Sequence, residues 1–115
     1  MLTIYHNPRC SKSRETLSLL EERGLQPHVV LYLQTPPDKA TLQALLQQLG
    51  LASARDLIRH KESEYLELGL DNPALSEDQL LDAMLAHPRL IERPIVVNNG
   101  QARIGRPPQQ VLDIL

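Results

Sequence analysis

Ten residues near the N-terminus, Tyr5-His6-Asn7-Pro8-Arg9-Cys10-Ser11-Lys12-Ser13-Arg14, constrain this chain more than any other stretch. They stand between a short apolar run, Leu2 to Tyr5, and an amphipathic run, Glu15 to Arg23. That pattern predicts a strand, a turn and a helix start. Pro8 has no N–H to give a strand ladder, so the strand ends before it. Ser11 and Ser13 favour the first turn of a helix, which puts Cys10 at or just before the helix N-terminus.

That position changes the chemistry of the sulfur. First-turn amides have no intrahelical partner, and the helix dipole concentrates partial positive charge there. Arg9, Lys12 and Arg14 add cations beside it. Each factor favours thiolate over thiol, and the same amides can cradle an oxyanion. The plainer alternative is a small buried hydrophobe. Cysteines of that kind sit among apolar neighbours, whereas Cys10 is flanked by Pro-Arg and Ser-Lys-Ser-Arg, so it reads as a reactive thiol.

It is the only cysteine among 115 residues, so no intrachain disulfide can form, and a reducing cytoplasm is the expected compartment. A net charge of −2 with no block of like charges gives no bulk attraction to nucleic acid or membrane. Phe and Trp are absent, which removes base-stacking platforms and leaves the core to leucine. No apolar run approaches the ~18 residues of a membrane span, and the N-terminus lacks a signal-peptide pattern. His6, His28, His60 and His87 are scattered without ligand spacing, so no metal is expected.

Read in order, Leu2–His6 is a strand and Ser11 to Arg23 a helix stopped by Gly24. Val29-Val30-Leu31-Tyr32-Leu33 is a continuous apolar run, the pattern of a strand buried on both faces. Strand, helix and strand in so short a span imply a parallel βαβ unit. Asp38 onward carries a second helix with the stripe Leu42, Leu45, Leu46 and Leu49, ended by Gly50. Short helical turns follow over 54–59, capped by Ser53, and over 62–68. Ser76-Glu77-Asp78-Gln79 matches a capping box and opens a helix to about His87. Ile95–Asn98 and Ala102–Ile104 form a hairpin about Asn99-Gly100. Pro107 and Pro108 start a last helix whose apolar face is Val111, Leu112 and Leu115.

The order β-α-β, helical insert, β-β-α is α/β and thioredoxin-like, with a mixed four-stranded sheet. The chain reads as a single domain over 1–115 with the helical insert at about 35–90. Ligands of such sheets bind beyond the carboxyl ends of the strands, where Cys10 falls.

Cys10-Ser11-Lys12-Ser13 has the spacing of a C-x-x-C redox motif with serine in the second place. Without a second thiol it cannot resolve its own mixed disulfide, so redox work would need an outside thiol such as glutathione. The Ser13 hydroxyl can point at the sulfur, or simply cap the helix. His6 can hydrogen-bond the sulfur, or be a satisfied core histidine. The phosphatase spacing C-x5-R is not met, because Arg14 lies four residues after Cys10. Arg59, Arg93 and Arg106 each adjoin apolar or Pro-rich stretches and could converge on an oxyanion by bidentate contacts; surface ion pairing is the plainer account. Arg93-Pro94, just before a strand, is a candidate cis bond.

These segments together resemble the ArsC family, the glutaredoxin-linked arsenate reductases, and more narrowly its short bacterial branch. The matching residues are Ile4 to Arg14, Leu31-Tyr32-Leu33, Asp56-Leu57-Ile58-Arg59, Leu68-Gly69-Leu70, Glu92 to Val97, Gly105-Arg106-Pro107-Pro108 and Val111 to Leu115. The resemblance implies that Cys10 is the nucleophile and that Arg59, Arg93 and Arg106 hold arsenate and its product. It places His6, Ser13 and Arg14 as support for the thiolate and Pro94 as the cis-proline. It implies a monomeric oxidoreductase with no bound cofactor, with glutathione as co-substrate and glutaredoxin as partner. Two other readings stand beside it: a glutathione-dependent thiol-disulfide reductase of the same fold, and a non-enzymatic Spx-type regulator that binds RNA polymerase. The missing second cysteine argues against the regulator's intrachain switch.

Overall fold

Ile4 alternates with Thr3 and Tyr5, and its side chain is fully buried while theirs are half-buried. This is the short first strand, β1 (Thr3–Tyr5), in a computed structural model that describes all 115 residues. Asn7 then accepts from the Arg9 amide through its side chain and from the Cys10 amide through its carbonyl, both at 3.0 Å, turning the chain within four residues. Helix α1 (Ser11–Glu22) starts directly from that turn.

Two compact units make up the chain, one of Met1–Thr35 with Arg93–Leu115 and one of Pro36–Glu92. The first holds α1, β2 (His28–Val30), β3 (Ile95–Asn98) and β4 (Gln101–Ile104) around β1. The sheet order is β2-β1-β3-β4, with β2 parallel to β1, β3 antiparallel to β1, and β4 antiparallel to β3. This is the expected mixed, thioredoxin-like sheet. Asn99 and Gly100 turn the β3–β4 hairpin with φ of 53° and 78°, the left-handed pair that a two-residue turn requires. Ile4, Leu20, Val96, Val111 and Ile114 form the core beside the sheet.

Two expectations change here. The apolar run from Val29 is not a strand buried on both faces. β2 is only three residues long and lies at the sheet edge, and Val29 is 39% exposed. The chain leaves the sheet after Val30, and Tyr32, beyond the strand, is the residue that is buried. The last helix is also different: Pro108–Ile114 is 3₁₀ rather than α. Its repeat is close to three, so Pro108, Val111 and Ile114 face inward, Leu112 is half-buried and Leu115 is exposed.

The second unit covers the stretch read as a helical insert. Helix α2 (Lys39–Leu49) begins where Asp38 accepts from the Thr41 amide and ends at Gly50, whose φ is 72°. A 3₁₀ turn over Ala54–Leu57 is capped by Ser53, and α3 (Ser63–Glu67) is one short turn. Helix α4 (Glu77–Ala86) carries the full Ser76–Gln79 capping box. α2 and the Ala54–Leu57 turn pack on α4, burying Leu42, Leu45, Leu57, Leu80 and Met84. No helix of the chain is long and apolar enough to cross a membrane.

Candidate active site

Cys10 is the N-cap residue of α1, with extended backbone angles and 8% of its surface exposed. Burial pushes its thiol pKa up. Four groups push the other way: the Ser13 amide, the Arg93 guanidinium, the Lys12 amide and the Arg106 guanidinium. Together they outweigh burial, and the thiol is held below its ordinary value. The two amides are the second and third of the helix, the free N–H groups of its first turn. Neither closes on the sulfur as a full cap hydrogen bond, so they act chiefly through their dipoles.

Arg106 touches the sulfur directly, its Nη2 donating to Cys10 Sγ at 3.6 Å. Its Nε donates to the Arg93 carbonyl at 2.9 Å, which fixes the plane of the guanidinium. Arg106 follows Gly105, and Gly105 is buried with its amide on the Pro94 carbonyl at 2.9 Å. A Cβ on Gly105 would run into the Thr16 side chain and would stand 2.9 Å from Pro94 Cγ. The missing side chain therefore lets β4, α1 and the Arg93-Pro94 segment close together. Arg93-Pro94 is cis, as is Arg106-Pro107.

His6 and Ser13 are both buried, and His6 Nδ1 lies 2.6 Å from Ser13 Oγ. Ser13 Oγ also accepts from the Asn7 amide at 3.0 Å. The hydroxyl is therefore tied to the strand end and the turn, and it is the Ser13 amide that serves the sulfur. His6 is held below the ordinary histidine range, first by burial and then by Arg14, against a smaller opposing pull from Glu21. With the ring neutral and protonated at Nε2, the serine hydroxyl donates to Nδ1. Arg14 Nη1 donates to the Pro8 carbonyl at 2.9 Å, closing the other side of the turn. His6, Ser13 and Arg14 thus shape the loop that presents Cys10.

The structure brings Cys10, His6, Ser13, Arg14, Arg93, Pro94 and Arg106 into the first unit. Arg59 belongs to the second, where it pairs with Glu62 and more distantly with Glu92, at 4.0 Å. Its amide donates to the Leu90 carbonyl at 2.7 Å. Sequence reasoning gave no role to two residues that pack here, Thr16 and Gly105. The signal for Thr16 was its place four residues after Lys12, whose carbonyl it binds at 2.8 Å from a buried helix position. For Gly105 it was a glycine set between a strand and an arginine. No group of three or more His, Cys, Asp or Glu side chains is placed to hold a metal ion.

A mixed four-stranded sheet, a lone cysteine at the first helix start and the Arg106 guanidinium at its sulfur define an α/β protein of thioredoxin-like fold with one thiol at the head of its first helix. The ArsC family model matches residues 5–114, and the chain belongs to that family. It is 64% identical to the uncharacterized protein YfgD of Escherichia coli K12, over 97% of this chain and 94% of that one. It is 56% identical to an arsenate reductase of Neisseria meningitidis serogroup A, over 99% and 97% of the two chains. The solved structure of an arsenate reductase from Vibrio cholerae superposes with a TM-score of 0.97 at 60% identity, covering 99% of this chain and 97% of that one.

Proposed function

We propose that the protein is an arsenate reductase that uses Cys10 as its single nucleophile and takes electrons from glutathione and glutaredoxin. The observation that carries this reading is Arg106 Nη2 at 3.6 Å from a Cys10 sulfur whose thiol is held low by first-turn amides and two guanidinium groups. A nucleophile and a seat for oxygen anions coincide. Relatives with 56% and 52% identity, from Neisseria meningitidis and Haemophilus influenzae, bear the name arsenate reductase.

In this mechanism the Cys10 thiolate attacks arsenic and an arsenate oxygen leaves as water. Arg93 and Arg106 neutralise the oxygens as their charge shifts. Glutathione then attacks the arsenic adduct and a second oxygen leaves as water. The glutaredoxin thiolate attacks the glutathione sulfur, taking it off as a mixed disulfide and leaving the electron pair on arsenic; water then cleaves the arsenic–Cys10 bond, arsenite departs, and the Cys10 thiolate returns. Over the cycle two thiols become one disulfide, arsenic gains two electrons, and one water forms. The outside thiols do what a second cysteine would do in a C-x-x-C protein. The protein works as a monomer in a reducing cytoplasm and binds no cofactor.

A reductase of glutathione mixed disulfides would use the same thiolate, and it would differ by acting on a small disulfide and being indifferent to Arg93→Ala. The test is NADPH consumption with arsenate, glutathione, glutaredoxin and glutathione reductase. Turnover in the wild type and none in Cys10→Ser is the expected result; no turnover at millimolar arsenate rejects the reading. Arg59→Ala in the same assay tests separately the role that family resemblance gives Arg59, through a raised KM for arsenate.

A further inference from the structure

The Arg59 guanidinium already holds a carboxylate. Its Nη1 pairs with Glu62 Oε1, and its Nε stands 4.0 Å from Glu92 Oε1. The chain arranges the first contact locally. The Arg59 amide donates to the Leu90 carbonyl at 2.7 Å, and the Glu62 amide donates to the Arg59 carbonyl at 3.3 Å. Residues 59–62 thus form a tight turn whose two ends carry the pair. The pair is also shielded, with the Arg59 side chain 22% exposed and that of Glu62 14%. Water and salt screen it less than they screen an ion pair at the surface.

Glu62 has a second hold. Its Oε2 meets Arg89 Nη2 at 3.3 Å, and Arg89 Nη1 lies 3.9 Å from Glu64 Oε2. Each oxygen of the Glu62 carboxylate therefore has its own arginine. If Arg59 turns away, Glu62 keeps Arg89 and is not left as a stranded charge, the outcome that makes a shielded pair costly to open. If Arg59 takes another anion in exchange, its own charge stays paired as well. The contact is built so that one partner can be exchanged while neither charge is abandoned.

Given the role that family resemblance assigns Arg59 in holding arsenate, on which this inference rests, we propose that Glu62 is a placeholder for the oxyanion. It fills the guanidinium fork of Arg59 in the free protein, and an oxyanion gains Arg59 only by displacing it. Glu62 thereby limits the affinity for the oxyanion while acting only through Arg59. Two effects oppose the incoming anion. It must replace a contact already made, and the displaced carboxylate, with Glu92 beside it, remains a like charge close by. Glu62→Gln keeps the shape of the side chain and weakens both effects.

The probe is sulfate, a tetrahedral dianion that the thiol does not reduce. It is titrated calorimetrically at fixed ionic strength into the wild type, Glu62→Gln, Arg59→Ala and the double variant. Glu62→Gln should lower the Kd about tenfold, the worth of one partly shielded charged contact. In the Arg59→Ala background the same substitution should leave the Kd nearly unchanged, because the guanidinium it would release is gone. The KM for arsenate in the coupled assay should fall with Glu62→Gln by a similar factor. Glu62→Ala, which has no side-chain amide to take the place of the carboxylate, should shift the Kd in the same direction. A Kd that rises or stays where it was in both Glu62 variants would overturn the proposal, and so would a gain that persists without Arg59. Because sulfate is not reduced, the two ideas fail separately: tighter sulfate binding without arsenate turnover defeats only the proposed reductase, and turnover with sulfate affinity unmoved defeats only the placeholder.

Discussion

Arg106 reaches Cys10 across 96 residues of sequence, with Nη2 3.6 Å from the sulfur and Nε anchored on the Arg93 carbonyl. One guanidinium thus lowers the thiol from a plane fixed by the backbone of the Arg93-Pro94 segment. Replacing it by lysine keeps a charge but loses the planar fork. Arg106→Lys should lower kcat/KM for arsenate by about 10–100-fold, the worth of one charged hydrogen bond of ~1.5–3 kcal/mol. Arg106→Ala should lower it further and raise the thiol pKa. Steady-state kinetics on the two variants, with alkylation rates beside them, checks both.

The Ser13 hydroxyl works for the loop rather than for the sulfur. Ser13→Ala leaves the Ser13 amide in place and removes the acceptor for Asn7 and the partner of His6. Both groups would be left unsatisfied near the core, at a cost of about 1–3 kcal/mol in stability. The expected result is a lowered denaturant midpoint with the pH profile of Cys10 alkylation nearly unmoved. A large rise in the alkylation pKa with unchanged stability would return the hydroxyl to the sulfur.

Gly105→Ala places a methyl group against Thr16 and Pro94. These atoms belong to a packed helix and a rigid ring, so the strand carrying Arg106 has to move instead. The substitution should cost about 1–3 kcal/mol and draw Arg106 off the sulfur, slowing Cys10 alkylation at neutral pH. Thermal unfolding and alkylation of the same sample measure the two effects together.

Much of this was legible in the sequence, for local reasons. Asn99-Gly100 admits few structures other than a tight hairpin turn, and Ser76 with Gln79 closes the capping box that its spacing predicts. Cys10 stands at the helix start because Pro8 and Ser11 leave no other place for the boundary. What the sequence hid depends on tertiary neighbours. An apolar run cannot say whether it lies at the centre or the edge of a sheet, and Val29 is exposed because β2 has one partner. Nor does local pattern separate a 3₁₀ from an α repeat over seven residues, so Ile114 takes the inward place read for Leu115. Which atom of Ser13 faces the sulfur follows from His6 and Asn7 having claimed the hydroxyl first.

The proposed chemistry depends on negative charge at Cys10 near neutral pH, and the alkylation rate of that one thiol reports it directly. The folded-state pKa is depressed, so the thiolate should persist below the pH at which an ordinary cysteine protonates. Any stability the lowered pKa lends is present above the ordinary thiol pKa and is lost as pH falls through the depressed one. Iodoacetamide modification followed from pH 4 to 10 should show a single inflection clearly below that of the same cysteine in urea-unfolded protein. Saturating arsenate should slow the reaction by occupying the site. An inflection that coincides with that of the unfolded chain, and a rate that ignores arsenate, would mean that Cys10 is neither a thiolate at neutral pH nor the residue that meets arsenate.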